Sequence, residues 1–110
     1  MKVCITAQGA TLESPAEDRF GRAPYFIVVE SENGSFEAIK NPYADGSGGV
    51  GPKAAQVLIA HHVKALVSGQ LGGNAKEVLV AAGIETYTYK AGGSVKEALD
   101  QFTRNTLVRS

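Results

Sequence analysis

Apolar residues in this chain fall into short dense runs and short periodic stretches, and the two kinds alternate. "KVCITA" (residues 2–7) and "YFIVVE" (25–30) are nearly unbroken apolar runs rich in β-branched and aromatic side chains, which predicts strands, and "SFEAIK" (35–40) predicts a third. The second and third are joined by "SENG", where the Asn33-Gly34 pair is a hairpin turn signal because both residues tolerate left-handed backbone. A loop rich in Gly, Asn and Asp follows. Pro52 then fits the first turn of a helix running to about His62, since a first-turn N–H has no partner inside the helix anyway. "KALVSG" (64–69) predicts a fourth strand.

The rest of the chain has helical spacing. Ala75, Val78, Leu79 and Ala82 fall at i, i+3, i+4 and i+7, with Asn74 as an expected side-chain cap, Glu77 three positions on, and Gly83 as the stop. "IETYTY" (84–89) alternates as a fifth strand, and "SVKE" is a capping box ahead of a third helix carrying Val95, Ala98, Leu99 and Phe102. The tail after about residue 105 is expected to fray.

The order β-β-β-α-β-α-β-α predicts an α/β protein: a three-layer, ribonuclease H-like domain on a five-stranded mixed sheet, with the first strand central. In that arrangement strands one, three, four and five end at one edge. The loops at 8–24, 41–51, 69–73 and 90–93 gather there with the amino ends of all three helices. Open α/β sheets bind ligands at such an edge, and helix amino ends favour an anion.

Composition sharpens this. With 110 residues and 44% hydrophobic content, residues 1–110 are expected to form a single domain. Eleven basic and eleven acidic residues cancel, so bulk charge does not favour nucleic acid, and an anion site has to come from local arrangement. No segment reaches the roughly 18 consecutive apolar residues of a membrane span, and the start lacks a basic stretch followed by an apolar one, so a soluble cytoplasmic protein is expected. Cys4 is the only cysteine, which excludes an internal disulfide and a cysteine metal cluster; no permanently bound metal is expected, and Cys4 reads as a buried small hydrophobe.

Candidate chemistry concentrates in three loops. In "DRFGRAPYF" Arg19 and Arg22 flank Phe20-Gly21, and together with Lys53 they would add positive charge to the loop edge. "GGVGPKA" matches a loose dinucleotide fingerprint but does not leave a strand directly, and Lys53 is followed by Ala54, so there is no Walker A motif. Its glycines either let a ligand approach the backbone closely or form a plain surface loop. "SGQLGGN" (68–74) suits backbone contact with an anion or cluster, or is a tight turn. His61 and His62 are about 100° apart on a helix and cannot chelate as an i, i+4 pair would; they complement the helix dipole. Strand one carries no acid for two-metal nuclease chemistry, and no Ser-His-Asp or Cys-His set shares a location. The pattern points to binding, not to an enzyme.

"DRFGRAPYFIVVE", "NP", "GSGGVGPKAAQVL", "KALVSGQLGGNAKEVLVAAGIETY" and "SVKEAL", in that order and over nearly the whole chain, resemble the dinitrogenase iron–molybdenum cofactor-binding and biosynthesis family, whose members include NifX, NafY and the carboxyl-terminal part of NifB. The chain is most similar to its short stand-alone members. The resemblance implies a ribonuclease H-like fold without nuclease activity, and carriage or delivery of an anionic molybdenum- or iron-containing metal–sulfur cofactor or precursor, transiently bound, with cluster-donor or acceptor proteins as partners. Carried over by position, the contacts are Arg19, Phe20, Gly21 and Arg22, then Gly48, Gly49, Gly51 and Lys53, then Ser68, Gly69, Gly72, Gly73 and Asn74, with no metal ligand among them. Arg19 stands where nitrogenase-specific members often have histidine, and an arginine pairs with an anion instead of ligating its metal. The competing expectation is a regulatory or interaction module that takes another small anion or a protein partner at the same edge.

Overall fold

The computed structural model describes residues 1–46, 50–90 and 92–110. Among these residues six strands, β1 (Lys2–Ala7), β2 (Tyr25–Glu30), β3 (Phe36–Lys40), β4 (Val63–Ser68), β5 (Glu85–Thr88) and β6 (Val108–Arg109), and three helices, α1 (Val50–Ala60), α2 (Gly73–Ala81) and α3 (Val95–Thr103), follow in the order β-β-β-α-β-α-β-α-β. The sheet order is β3-β2-β1-β4-β5-β6. β1 pairs in parallel with β4, and β4 with β5; β2 is antiparallel to both β1 and β3, and β6 to β5. The carboxyl ends of β1, β3, β4 and β5 therefore lie along one edge, as the element order requires.

The unbroken apolar runs are explained by cover on both faces of the sheet. Along β1, β2 and β4, Cys4, Phe26, Val28 and Leu66 face one layer with Ala54, Ala55 and Leu58 of α1 and Ala75 and Leu79 of α2. Val3, Ile5, Ile27, Val29, Ala65 and Val67 alternate with them and face the other layer, where Val95 and Ala98 of α3 pack. Among the described residues no helix is long and apolar enough to cross a membrane.

Three boundaries differ from expectation. The sheet has six strands, not five: Asn105 takes a left-handed φ of 58° after α3, and the tail turns back so that Val108 and Arg109 pair with Thr88 and Tyr87. A two-residue strand is too short to leave a periodic signal. The cap of α2 is Gly72, with no side-chain hydrogen bond, and Asn74 lies inside the first turn. Helix α1 has Pro52 in its first turn, as expected, but ends at Ala60, two residues before His62. The other punctuation stands: Ser94 Oγ accepts the Glu97 amide at 3.1 Å, and Gly83, at φ 80°, ends α2 as the Ile84 amide donates to the Leu79 carbonyl at 3.0 Å.

Candidate functional site

Residues 15–23 are tied down along their length. Ala16 pairs with Ala7 at the end of β1, and the Thr6 hydroxyl donates to the Glu17 carbonyl at 2.7 Å. Arg19 then forms a parallel bridge with Gln70: the Phe20 amide donates to the Gln70 carbonyl at 3.1 Å, and the Gln70 amide to the Asp18 carbonyl. This approach dictates a glycine at 69, because a Cβ there would lie 2.8 Å from the Asp18 carbonyl oxygen. Phe20, only 2% exposed, stacks on Phe26 with ring centroids 5.5 Å apart and anchors the loop in the core. Gly21 lies against the start of α1, since its missing Cβ would come 3.0 Å from Val50 Cγ2 and 3.3 Å from the Gly51 amide nitrogen.

The two arginines are held differently. Arg22 donates from Nη1 to the Ala44 carbonyl at 3.2 Å and to the Gly46 carbonyl. Arg19 has a side chain 62% exposed, with Nε 3.6 Å from Glu17 Oε2, and the same carboxylate oxygen accepts its backbone amide at 3.0 Å. Lys53, exposed in the first turn of α1, places its ammonium 5.8 Å from the ring centre of Tyr43.

The helix amino ends are not equivalent. Gly51 of α1 lies against Ala75 of α2, a missing Cβ being 3.1 Å from the Ala75 Cβ, so the two first turns are side by side. Neither turn carries an acidic residue, and the amides of Gly73, Asn74 and Ala75 have no hydrogen-bond partner among the described residues. α3 packs on the opposite face of the sheet and its amino end is closed: the amides of Val95, Lys96 and Glu97 donate to the Ser14 carbonyl, the Leu12 carbonyl and Ser94 Oγ. The amino end of α3 thus lies against residues 12–16 at the shared edge, as the topology predicts, but on the other face and closed, while the first turns of α1 and α2 form a pair.

Of the residues singled out in the sequence, Gly21, Gly51, Gly72, Gly73 and Asn74 lie at or against this pair, with Lys53 in the first turn of α1, while Arg19 and Gly69 meet in the neighbouring contact of residues 18–20 with 69–70. Phe20 and Ser68 are buried instead: Ser68, 5% exposed, has its Oγ 3.0 Å from Thr6 Oγ1 beneath the loop. Gly48 and Gly49 lie outside the described residues. A Cβ on Gly72 or Gly73 would meet no atom of the described residues within 4 Å, and neither residue has a left-handed φ, so among the described residues neither crowding nor turn geometry calls for glycine there. Cys4 is fully buried beneath the sheet's α1–α2 layer, and burial pushes its thiol above the ordinary range. His61 lies at the far end of α1, with Nδ1 2.9 Å from the Val57 carbonyl. Among the described residues no three His, Cys, Asp or Glu side chains come together to hold a metal.

Two residues that sequence reasoning passed over matter here. Glu17 places a carboxylate beside Arg19. Asn41, 3% exposed, donates from Nδ2 to the carbonyls of Gly21 at 3.1 Å and Ala23 at 2.9 Å, while its Oδ1 accepts the Tyr43 amide at 3.0 Å. The available signal for Asn41 was its place directly after a strand and before Pro42, a turn-forming context.

This architecture defines a mixed α/β protein whose loop edge presents backbone amides, glycines and basic side chains. Residues 1–105 match the dinitrogenase iron-molybdenum cofactor family, and the chain belongs to it. It is similar to the orange protein of Desulfovibrio gigas, solved in its apo form, with 32% identity and a TM-score of 0.95 over 99% of this chain and 92% of that one. A NifB-like protein from Thermotoga solved by NMR is 40% identical, with a TM-score of 0.86 over 98% of this chain and 91% of that one. An uncharacterized protein of Methanocaldococcus jannaschii is 32% identical over 91 residues, 80% of this chain and 76% of its own length.

Proposed function

We propose that this protein binds and carries an anionic molybdenum- or iron-containing metal–sulfur cluster, held transiently at the loop edge between residues 19–22, the start of α1 and residues 69–74. The carrying observation is the contact of Gly51 with Ala75, which sets two helix amino ends without acidic residues side by side. Their amides and partial positive charge attract an anion, and Arg19 and Lys53 add full charges. Gly72 and Gly73, which the fold does not require to be glycine, suit a backbone that a bulky cluster approaches closely. Family membership supplies the class of cargo.

The grip in this reading is by charge and N–H donors instead of ligation. Arginine and lysine have no lone pair to offer a metal, and the one thiol is sealed in the core. The cluster therefore keeps its own ligands on entering and leaving, which fits carriage better than permanent residence. The strand order and the antiparallel β2 support a ribonuclease H-like assignment for residues 1–110 as one domain. The same reading has a carrier without a reaction of its own, exchanging its cargo with donor and acceptor proteins in the cytoplasm.

Anaerobic titration with isolated iron–molybdenum cofactor, followed by visible absorption, tests this. Saturable uptake that weakens in Arg19→Ala is expected. Uptake that is absent, or unchanged in that variant, would overturn the assignment; Arg22 is a poorer probe because its guanidinium also supports a loop.

A further inference from the structure

Two loops at this edge hold each other by opposite exchanges. Arg22, from the loop before β2, donates to carbonyls of the loop after β3 at Ala44 and Gly46. Asn41, from the loop after β3, donates to carbonyls of the loop before β2 at Gly21 and Ala23. Neither loop has a ladder to satisfy these carbonyls, so each depends on a side chain of the other. The Asn41 backbone amide adds a fifth point, donating to the Pro24 carbonyl at 2.9 Å.

We infer that Arg22 and Asn41 form a reciprocal clasp that makes residues 19–24 and 41–46 open and close as one unit, and that both are positioning residues for the edge. The second part rests on the carrier reading above. The cooperativity has a direct physical source. Breaking the Asn41 amide strands two partly buried carbonyls in the first loop and the Tyr43 amide in the second. Breaking the two Arg22 Nη1 bonds strands two carbonyls in the second loop and leaves a guanidinium to be resolvated. Once one half is broken, the other half holds a loop that has already lost its place, and little of its restraint remains.

The clasp also fixes what lies beyond it. Gly46 sits against Val50, its missing Cβ being 2.7 Å from Val50 Cγ1, and Gly21 touches Val50 and Gly51 from the other side. The first turn of α1 is thereby bracketed by both loops. Arg22 keeps its charge close to that turn but immobilised, whereas Arg19 is exposed and only loosely paired. The two arginines thus divide the work: Arg19 meets the anion, and Arg22 holds the surface that receives it.

Amide hydrogen exchange on the ligand-free chain decides the clasp, using variants read in the loop they do not belong to. Asn41→Ser is expected to speed exchange at Phe20 and Ala23, and Arg22→Met at Tyr43 and Gly46, each by about tenfold or more, as for loss of a hydrogen-bonded restraint. Core amides of β1 should change much less, and the double variant should add little to either single one. Acceleration confined to the substituted residue's own loop, or effects that multiply in the double variant, would overturn the clasp; so would uniform acceleration that includes β1. If Asn41→Ser does not fold, Arg22→Met carries the test alone, since its side chain is not fully buried. For positioning, cofactor bound anaerobically should dissociate about tenfold faster from Arg22→Lys, which keeps the charge but not the reach and fixed N–H directions of Nη1. An unchanged dissociation rate overturns the positioning role. Wild-type protein that takes up no cofactor refutes the carrier reading and with it the positioning role, while exchange still decides the clasp.

Discussion

Gly51 and Ala75 touch: a methyl on the glycine would come 3.1 Å from that of the alanine. The first turns of α1 and α2 can be this close only because one of the two residues has no side chain. Gly51→Val should wedge the helices apart, lowering stability by about 1–3 kcal/mol through overpacking. Uptake should fall further than stability alone explains. Urea denaturation and cofactor titration on the same sample separate the two, and intact uptake would show that the paired turns are not the site.

Gly73 offers the opposite test. It opens α2 with no atom of the described residues within 4 Å of its missing Cβ, so Gly73→Ala should leave stability unchanged or raise it by up to about 1 kcal/mol. The same methyl should obstruct a ligand on the backbone and weaken uptake about tenfold, the equivalent of one lost hydrogen bond. Stability and uptake moving in opposite directions would mark Gly73 as kept for binding; uptake equal to wild type would remove it from the site.

The Glu17 carboxylate sits 3.6 Å from Arg19 Nε, so under the proposed function it competes with an incoming anion. Glu17→Gln keeps an acceptor for the Arg19 amide and removes the charge. Anion affinity should rise about two- to fivefold at low salt, and the gain should shrink by about 0.5 M salt as screening takes over. Titration at two ionic strengths checks both, and a fall in affinity would mean that Glu17 positions Arg19 more than it competes for it.

Cys4 should be inert in the native state. Its thiol is fully buried and its folded pKa is raised by burial above the unfolded value of roughly 8.5. Above that pH the unfolded chain releases a proton that the folded chain retains, so the unfolded state gains and stability falls as pH rises, by up to about 1.4 kcal/mol per unit from this group. Comparing wild type with Cys4→Ala between about pH 8 and 10 isolates that slope. Iodoacetamide should label Cys4 only on unfolding; fast labelling of folded protein would contradict the buried placement.

His62 follows α1 with φ at 60°, a left-handed conformation that glycine adopts freely and that a residue with a Cβ adopts at a cost. His62→Gly should raise stability by about 0.5–1 kcal/mol, the relief of strain partly offset by the freer unfolded chain. That corresponds to a few degrees in the thermal midpoint. A lower midpoint would show that the imidazole makes a contribution larger than the strain.

Much of the molecule was legible because its signals are local. Apolar runs buried on both faces, the Asn33-Gly34 hairpin, the Ser94–Glu97 capping box and Gly83 as a stop each act within a few residues, and each specifies its element wherever that element is placed. The sequence by itself thus determined five of the six strands, the three helices, the shared edge of the strand ends and the family. Tertiary structure decided what depends on neighbours distant in the chain. β6 exists only because β5 offers it an edge. The amino end of α3 is closed because residues 12–14 supply its carbonyls, whereas the amides of Gly73, Asn74 and Ala75 in α2 have no partner among the described residues. The two arginines of "DRFGRAPYF" look alike in sequence, yet Arg22 reaches loop carbonyls twenty-two and more residues away while Arg19 meets solvent and Glu17. Local spacing encodes elements; the partners of a buried amide, a fork or a helix end are set by which elements come to lie against it.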